Sequence, residues 1–194
     1  LFEAKSVVSK NLVAALRVLP ATRLGRPLEE CTELMNRLTR VDHPALARVI
    51  AIGDAPDGKS IFMVREFVDG EHLGQTLSKG PMNWSEACGL VHQLLEGIQH
   101  LHSEGIPHGN IKASNVCVQP DGSARLLDCA LGVDPAPRSL TEMGHRFGTM
   151  AYLPPELLRG DPLAPFRGVV YAMGQLLCDV ILGEPLFAVS TDLS

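Results

Sequence analysis

The chain has 194 residues, 45% of them hydrophobic, and this length and composition predict one packed domain or part of one. The formal net charge of −5 indicates no basic face, so nucleic acid is not an expected partner. Five scattered cysteines without a C-x-x-C pair predict reduced thiols in a cytosolic compartment. No run of about 18 apolar residues occurs, so no membrane span is predicted. Because the first residue is Leu1, we expect a piece of a longer chain, whose other parts could carry a membrane anchor.

The first third of the chain predicts a small sheet and one amphipathic helix. A helix is predicted from Pro27 to Val41, because Pro27 suits a first helical turn and apolar residues recur every three or four positions. Apolar runs bounded by polar turns predict strands. These strands are residues 2–8, 12–19, 46–52 and 60–68.

Helices dominate the prediction after residue 70. The strongest is Trp84–Ser103, which has a broad apolar face and a cap at Asn83 or Ser85. Its apolar face comprises Ala87, Leu90, Val91, Leu94, Leu95, Ile98 and Leu101. A second apolar helix is predicted over residues 169–182, after a proline-rich loop at 161–167.

Three histidines on or near the first of these helices invite a zinc interpretation. His92 and His100 are eight residues apart and His102 faces elsewhere, so no pair has the i, i+4 spacing of helical zinc ligands. We therefore expect structural roles for all three.

A polar loop and a lone aspartate supply the candidate functional residues. The loop over residues 108–115 precedes a predicted strand at 116–119, a turn at 120–123 and a second strand that rises into Leu126. Asp128 follows directly. A loop-like stretch at 132–146 comes next.

His108, Lys112, Asn115 and Asp128 fall on the pattern H-R-D-x-K-x-x-N followed by D-F-G, so the chain resembles eukaryotic-type protein kinases. Lys112 places the chain nearer the Ser/Thr kinases, and the sequences of the hinge and the loop resemble those of bacterial members. Other segments match the family in order and at its spacing. They are 14–17 at V-A-I-K, 43–44 at His-Pro, 62–70 at the hinge, 148–156 at G-T-x-x-Y-x-A-P-E, and 183–187 at G-x-x-P-F.

The resemblance implies an α+β fold with two lobes, truncated at both ends. A small antiparallel β lobe with the family's C helix would extend over residues 1–67, beginning at about the second strand. A mainly helical large lobe would extend over 68–194, through the family's F helix. No glycine precedes Gly25, so the family's glycine-rich loop is either absent or upstream.

The chain departs from the family at positions that carry chemistry. The substituted positions are Arg17 for Lys, Leu34 for Glu, Gly109 for Arg, Asn110 for the catalytic Asp, Cys129 and Ala130 for Phe-Gly, and Val169 for Asp. A shifted register could restore the missing glutamate at Glu30 or Glu33. Asn110 can bind a hydroxyl but cannot accept its proton, and loss of such a base typically removes about 10²–10⁴ in rate.

The resemblance also implies site residues and cofactors. Asn110 and Lys112 would be catalytic, and Asn115 and Asp128 would bind metal. The implied nucleotide-binding residues are Arg17, Glu66, Val68 and Glu71. ATP and Mg²⁺ are the candidate cofactors. Arg65 takes the position behind the adenine pocket, where it either narrows that pocket or packs its stem while its head binds a carboxylate or water.

Two hypotheses for function follow. The first is a pseudokinase, a regulatory module that binds a protein partner and retains residual ATP binding. The alternative is an active but atypical Ser/Thr kinase that transfers the ATP γ-phosphate to a protein hydroxyl. A small-molecule kinase is a distant third, because residues 148–156 resemble a platform for protein substrates.

Overall fold

The computed structural model describes residues 2–5, 13–20, 33, 36–129, 151–158 and 164–187. Two antiparallel sheets lie in these ranges, one with strand order β1-β2-β4-β3 and one with order β5-β6-β7. The strands are β1 (Phe2–Lys5), β2 (Val13–Pro20), β3 (Val49–Asp54), β4 (Ser60–Glu66), β5 (Glu71–His72), β6 (Val116–Val118) and β7 (Ala124–Leu126).

The pairing of β2 with β4 places two arginines on one face of the larger sheet. Ala15 lies opposite Arg65, and Arg17 lies opposite Met63. Because side chains alternate between the two faces of a strand, Arg17 and Arg65 are diagonal neighbours on one face. The Met63 side chain is fully buried and belongs to the hydrophobic core.

The β3–β4 hairpin is fixed by its turn. The Asp57 carboxylate accepts hydrogen bonds from the backbone N–H groups of Lys59 and Ser60, at 2.8 and 2.9 Å, and from the Ser60 hydroxyl at 2.8 Å. Gly58 has a φ of 62°, a left-handed conformation that glycine adopts at little cost. These bonds fix the β3–β4 hairpin, in which Val49 lies opposite Arg65.

Four helices are described: α1 (Leu73–Leu77), α2 (Trp84–Ser103), α3 (Pro155–Leu158) and α4 (Ala164–Leu182). Asn83 caps α2, accepting a hydrogen bond from the Glu86 N–H at 3.0 Å, which is the predicted cap. The predicted apolar face of α2 is buried except for Leu95, which is 40% exposed and was wrongly assigned to the core. Helices α2 and α4 share one hydrophobic core with β4, β6 and β7.

Element ends differ from the predictions in several places. In the predicted helix at 27–41, residues 36–38 are helical, and the chain turns at 39–40, so Val41 lies outside the helix. Helix α4 begins at Ala164 rather than 169, because Pro165 stands in the first turn, where its missing N–H costs no hydrogen bond. Strands β3 and β4 are Val49–Asp54 and Ser60–Glu66, so the predicted 46–48 and 67–68 are not strand.

Some predictions lie outside the described residues. They concern Glu30, Leu34, Ala130, the loop at 132–146 and residues 148–150. Among the helices that are described, none is both long and apolar enough to cross a membrane.

Candidate functional site

The loop at 108–115, which we call the catalytic loop, closes on itself through hydrogen bonds. The Asn110 N–H donates to His108 Nδ1 at 3.2 Å, and Asn115 Nδ2 donates to the Asn110 carbonyl at 2.8 Å. Residues 113–115 form a short 3-10 turn, and Gly109 has a φ of 70° that suits glycine. The side chains of His108 and Asn115 therefore hold the loop by bonding the backbone of Asn110, and the substitutions at 109 and 110 leave these bonds in place.

His108 is the fully buried anchor of this loop. Burial lowers the pKa of His108 to about 4, and the nearby Asp128 charge opposes that shift. The imidazole is therefore neutral near pH 7. Since its Nδ1 accepts the Asn110 N–H, the proton lies on Nε2.

The β6–β7 hairpin brings Asp128 beside the catalytic loop. The Leu127 N–H donates to the Asn115 carbonyl at 2.7 Å, one residue before Asp128. Asp128 has a φ of 54°, an uncommon conformation for a residue with a side chain. The two predicted metal ligands, Asn115 and Asp128, are thus neighbours, and both are buried.

Both oxygens of the Asp128 carboxylate bind arginines. Arg65 Nε donates to Oδ1 at 3.2 Å, and Arg17 Nη1 donates to Oδ2. Arg65 and Asp128 are buried, whereas the Arg17 side chain is 33% exposed. We call these three residues the arginine clamp. Arg65 therefore does what the second sequence interpretation expected, and the carboxylate that its head binds is the predicted metal ligand itself.

Lys112 lies within the same electrostatic field. Burial lowers the pKa of Lys112, the Arg17 cation lowers it further, and the Asp128 carboxylate opposes both. Arg17, Asp128, Lys112, Asn110 and Asn115 are therefore brought together by the fold.

The predicted nucleotide contacts beyond Arg17 are engaged elsewhere. The Glu66 carboxylate accepts hydrogen bonds from the Arg48 N–H at 2.8 Å and from Arg125 Nη1. The Glu66 carbonyl accepts from Arg65 Nη1 at 3.1 Å, so an acceptor that the hinge could offer to a base is already bonded.

Val68 and Glu71 also face other partners. Val68 packs beside the small cluster that contains Cys117 and Leu127. The exposed Glu71 pairs with Lys79 at 2.7 Å. Neither side chain joins the arginine clamp.

A second buried carboxylate ties α4 to the catalytic loop. Asp179, which is 1% exposed, accepts hydrogen bonds from Tyr152 Oη, from Gln175 Nε2 at 2.8 Å and from the Leu186 N–H at 2.8 Å. The Ala113 N–H reaches Tyr152 Oη at 3.5 Å. Burial, and then Asp179, raise the pKa of Tyr152.

This connection was not predicted from the sequence. Val169 is buried in the core and offers no acceptor at the position where the family has an aspartate. The available signal for Asp179 was a lone acidic residue within an apolar helix, which usually has a buried partner.

The remaining unusual side chains have structural surroundings. Cys129 is buried in the core, and burial raises the pKa of its thiol to about 12, so it is an unreactive thiol at neutral pH. His92 lies 3.8 Å from Glu96, His100 stacks on His43 and His102 contacts the edge of Phe166. Within the described ranges, no group of three or more His, Cys, Asp and Glu side chains has the geometry to hold a metal ion.

An antiparallel sheet, a polar loop after the longest helix and a buried aspartate after a β-hairpin together define the architecture of a protein kinase domain. The family model described as "Protein kinase domain" matches residues 5–194, and the chain therefore belongs to the protein kinase domain family. The resemblance inferred from the motifs, and the α+β fold, are confirmed.

Bacterial Ser/Thr kinases are among the curated relatives of this chain. Serine/threonine-protein kinase pkn2 of Myxococcus xanthus is 36% identical over 153 residues, which is 76% of this chain and 18% of that protein. Serine/threonine-protein kinase PknB of Mycobacterium tuberculosis is 31% identical over 152 residues, covering 76% of this chain and 24% of that protein. PknL of the same species is 32% identical over 158 residues, covering 81% of this chain and 39% of that protein. The matched region thus spans well under half the length of these relatives.

Proposed function

We propose that this protein is a pseudokinase: a kinase-shaped regulatory module with impaired phosphotransfer, which binds a protein partner and keeps residual affinity for ATP. The carrying observation is the catalytic loop, which is assembled around His108 and Asn115 but presents an amide at Asn110. An amide has no basic lone pair near neutral pH, so no group at this position can accept the hydroxyl proton.

The arginine clamp supports the same proposal. A kinase site holds the phosphates with metal ions that bridge their oxygens. Here Arg17 and Arg65 bind both oxygens of Asp128, the residue predicted to bind metal, which supports impaired metal binding. The proposal includes Arg17 and Lys112 as phosphate contacts, Glu66, Val68 and Glu71 as hinge-side contacts, and a lobe boundary near residue 67.

The alternative is a slow Ser/Thr kinase. It is favoured by Lys112 and Asn115, which stand in a loop of family form, and by relatives named as Ser/Thr kinases. In that case Asn110 would orient the hydroxyl while positioning and charge supplied the remaining catalysis. The substrate would then be a protein hydroxyl, and the domain would act in signalling on the cytosolic side.

A phosphotransfer assay separates the two. The full chain is incubated with radiolabelled ATP, Mg²⁺ or Mn²⁺ and basic and acidic protein substrates, beside the Asn110→Asp variant and an Asn83→Asp control in the cap of α2. We expect no incorporation by the wild type or by either variant, because restoring the base leaves the arginine clamp in place. Incorporation by the wild type would establish the slow kinase instead. A gain of about 10² or more in Asn110→Asp alone would show that Asn110 is the main defect.

A further inference from the structure

The arginine clamp places the charge of two guanidinium groups where the family pattern predicts a metal ion. Arg65 and Arg17 bind the two oxygens of one carboxylate, and the pairing of β2 with β4 sets both arginines on the same sheet face. Arginine remains protonated at every accessible pH, so neither charge can be removed by titration. Lys112 is a further cation within the same electrostatic field.

Magnesium does not fit this arrangement. A bound Mg²⁺ needs an oxygen within about 2.1 Å in near-octahedral geometry. Each Asp128 oxygen instead faces a guanidinium N–H, and the ion would stand against two fixed positive charges. Asn115 can still offer its amide oxygen, since its nitrogen is the donor to Asn110, but that ligand is neutral.

The buried arm of the clamp cannot easily move aside. Arg65 is 5% exposed, and its Nη1 is held by the Glu66 carbonyl at 3.1 Å. Withdrawing Asp128 to bind a metal would leave a buried guanidinium without its counter-charge, which is strongly unfavourable. The exposed arm differs, because one third of the Arg17 side chain is accessible and a guanidinium carries five N–H donors.

We propose that the arginine clamp takes the place of the divalent cation, so that the site binds the polyphosphate group of a nucleotide as a free anion and magnesium weakens that binding. The inference rests on the proposed function, because it requires a nucleotide site that no longer transfers phosphate. Arg17 supplies the direct charge-assisted hydrogen bonds, while Arg65 and Asp128 fix its position. Magnesium weakens binding because Mg·ATP carries two fewer negative charges and covers the oxygens that Arg17 would contact.

The test is binding of ATP to the full chain in EDTA and, separately, in excess Mg²⁺, followed by calorimetry and by the thermal midpoint. We expect a dissociation constant about tenfold lower in EDTA than in Mg²⁺, the scale of one charge-assisted hydrogen bond, and a correspondingly larger rise of the midpoint. Inorganic tripolyphosphate in EDTA should raise the midpoint, and adenosine should not. An adenosine shift equal to that of ATP would overturn recognition through the phosphates.

Two variants and one control assign the effect to the clamp. Arg17→Met should weaken ATP binding in EDTA about tenfold, whereas Arg40→Met, which removes the same charge from an exposed residue outside the clamp, should leave it unchanged. Arg65→Met frees one Asp128 oxygen and should remove the weakening by Mg²⁺. If Arg65→Met fails to fold, the wild-type comparison and Arg17→Met still decide.

The inference and the proposed function fail in different ways. ATP binding by the wild type that requires Mg²⁺ overturns the inference and leaves the pseudokinase proposal intact. The absence of ATP binding in both EDTA and Mg²⁺ overturns the inference and the residual ATP affinity, but leaves the impaired phosphotransfer of the proposed function standing. Phosphate transfer in the radiolabel assay overturns the pseudokinase proposal.

Discussion

The catalytic loop and the arginine clamp are neighbours, yet departures from the kinase pattern act on them in opposite ways. In the loop, Gly109 and Asn110 replace chemically active residues, but the bonds that shape it involve backbone atoms and remain. In the clamp, Arg17 and Arg65 create side-chain bonds that redirect Asp128. The loop tolerates substitution because its bonds need only the retained His108 and Asn115 side chains and the backbone of residue 110. A site built on side-chain charge changes its ligand when a charge changes.

The two regions also differ in the free-energy cost of breaking their interactions. The loop is held by neutral hydrogen bonds, each worth about 0.5–1.5 kcal/mol net. The clamp holds three charges, two of them on buried residues, where an unpaired charge is far more costly. Perturbing the clamp should therefore destabilise the fold more than perturbing the loop, and the predictions below test this difference.

The largest effect is expected for Asp128→Ala. Removing the carboxylate leaves Arg65 buried without a counter-charge, so the free energy of unfolding should fall by about 3–5 kcal/mol. Urea unfolding at pH 7 measures it as a lower midpoint at unchanged m-value. Asp42→Ala, at an exposed aspartate, should change stability by no more than about 0.5 kcal/mol.

The Arg65→Met variant tests whether the loss in Asp128→Ala comes from an unpaired buried charge. It removes the buried charge and leaves an apolar chain of similar length in the same space, and Arg17 still pairs with Asp128. Stability should therefore fall by less than in Asp128→Ala. Equal losses in the two variants, or a loss below about 1 kcal/mol in Asp128→Ala, would show that the clamp is not a buried charge network in solution.

A pH-dependent effect of intermediate size is expected at His108. Its folded pKa of about 4 lies below the ordinary value near 6.5, so the unfolded chain binds the proton first as the pH falls. Stability is complete above about pH 6.5 and declines towards pH 4. Between pH 7 and pH 5 the loss should be about 2 kcal/mol.

The measurement is urea unfolding at pH 7 and pH 5 for the wild type, His108→Asn and His92→Gln. Burial also lowers the pKa of His102, which adds to the pH dependence with the same sign, so the difference between wild type and His108→Asn isolates His108. His92→Gln replaces an exposed histidine and is the control substitution. A wild-type pH dependence that survives in His108→Asn would contradict a buried neutral imidazole.

Much of the fold followed from the sequence because local rules sufficed. The spacing of apolar residues and a cap at Asn83 or Ser85 predicted α2 with its observed ends, and Asn83 is the cap. The predicted start of helix α4 is too late, because a proline-rich stretch is typical of a loop, although proline is also well suited to a first helical turn. Leu95 was assigned to the core because spacing alone cannot show how wide a covered face is.

The site was only partly predictable, because its decisive contacts depend on strand register. Asp128 and Asn115 were found by their motif, but the partner of Asp128 at Arg65 is 63 residues away. Only the pairing of Ala15 with Arg65 shows that two arginines share a face, and that register joins strands that are distant in sequence. The Asp179–Tyr152 bond likewise joins residues that only the packed helices bring together.

The smallest effect is expected for Tyr152→Phe, which tests how the catalytic loop is supported. The variant removes the hydroxyl that donates to Asp179 and receives the Ala113 N–H, and Asp179 keeps Gln175 and Leu186 as donors. Because the carboxylate remains partly satisfied, the free energy of unfolding should fall by only about 1 kcal/mol.

A double-mutant cycle with Asp179→Asn decides whether the hydroxyl acts through that carboxylate. If it does, the sum of the losses in unfolding free energy of the two single variants should exceed the loss in the double variant by about 0.5 kcal/mol or more. Simple additivity would mean that Tyr152 supports the loop through packing alone. The Asp128 and Tyr152 results then bear on the same contrast. A loop held by neutral hydrogen bonds should lose little stability when one supporting hydroxyl is removed, while a clamp held by charge should lose several times more when its carboxylate is removed.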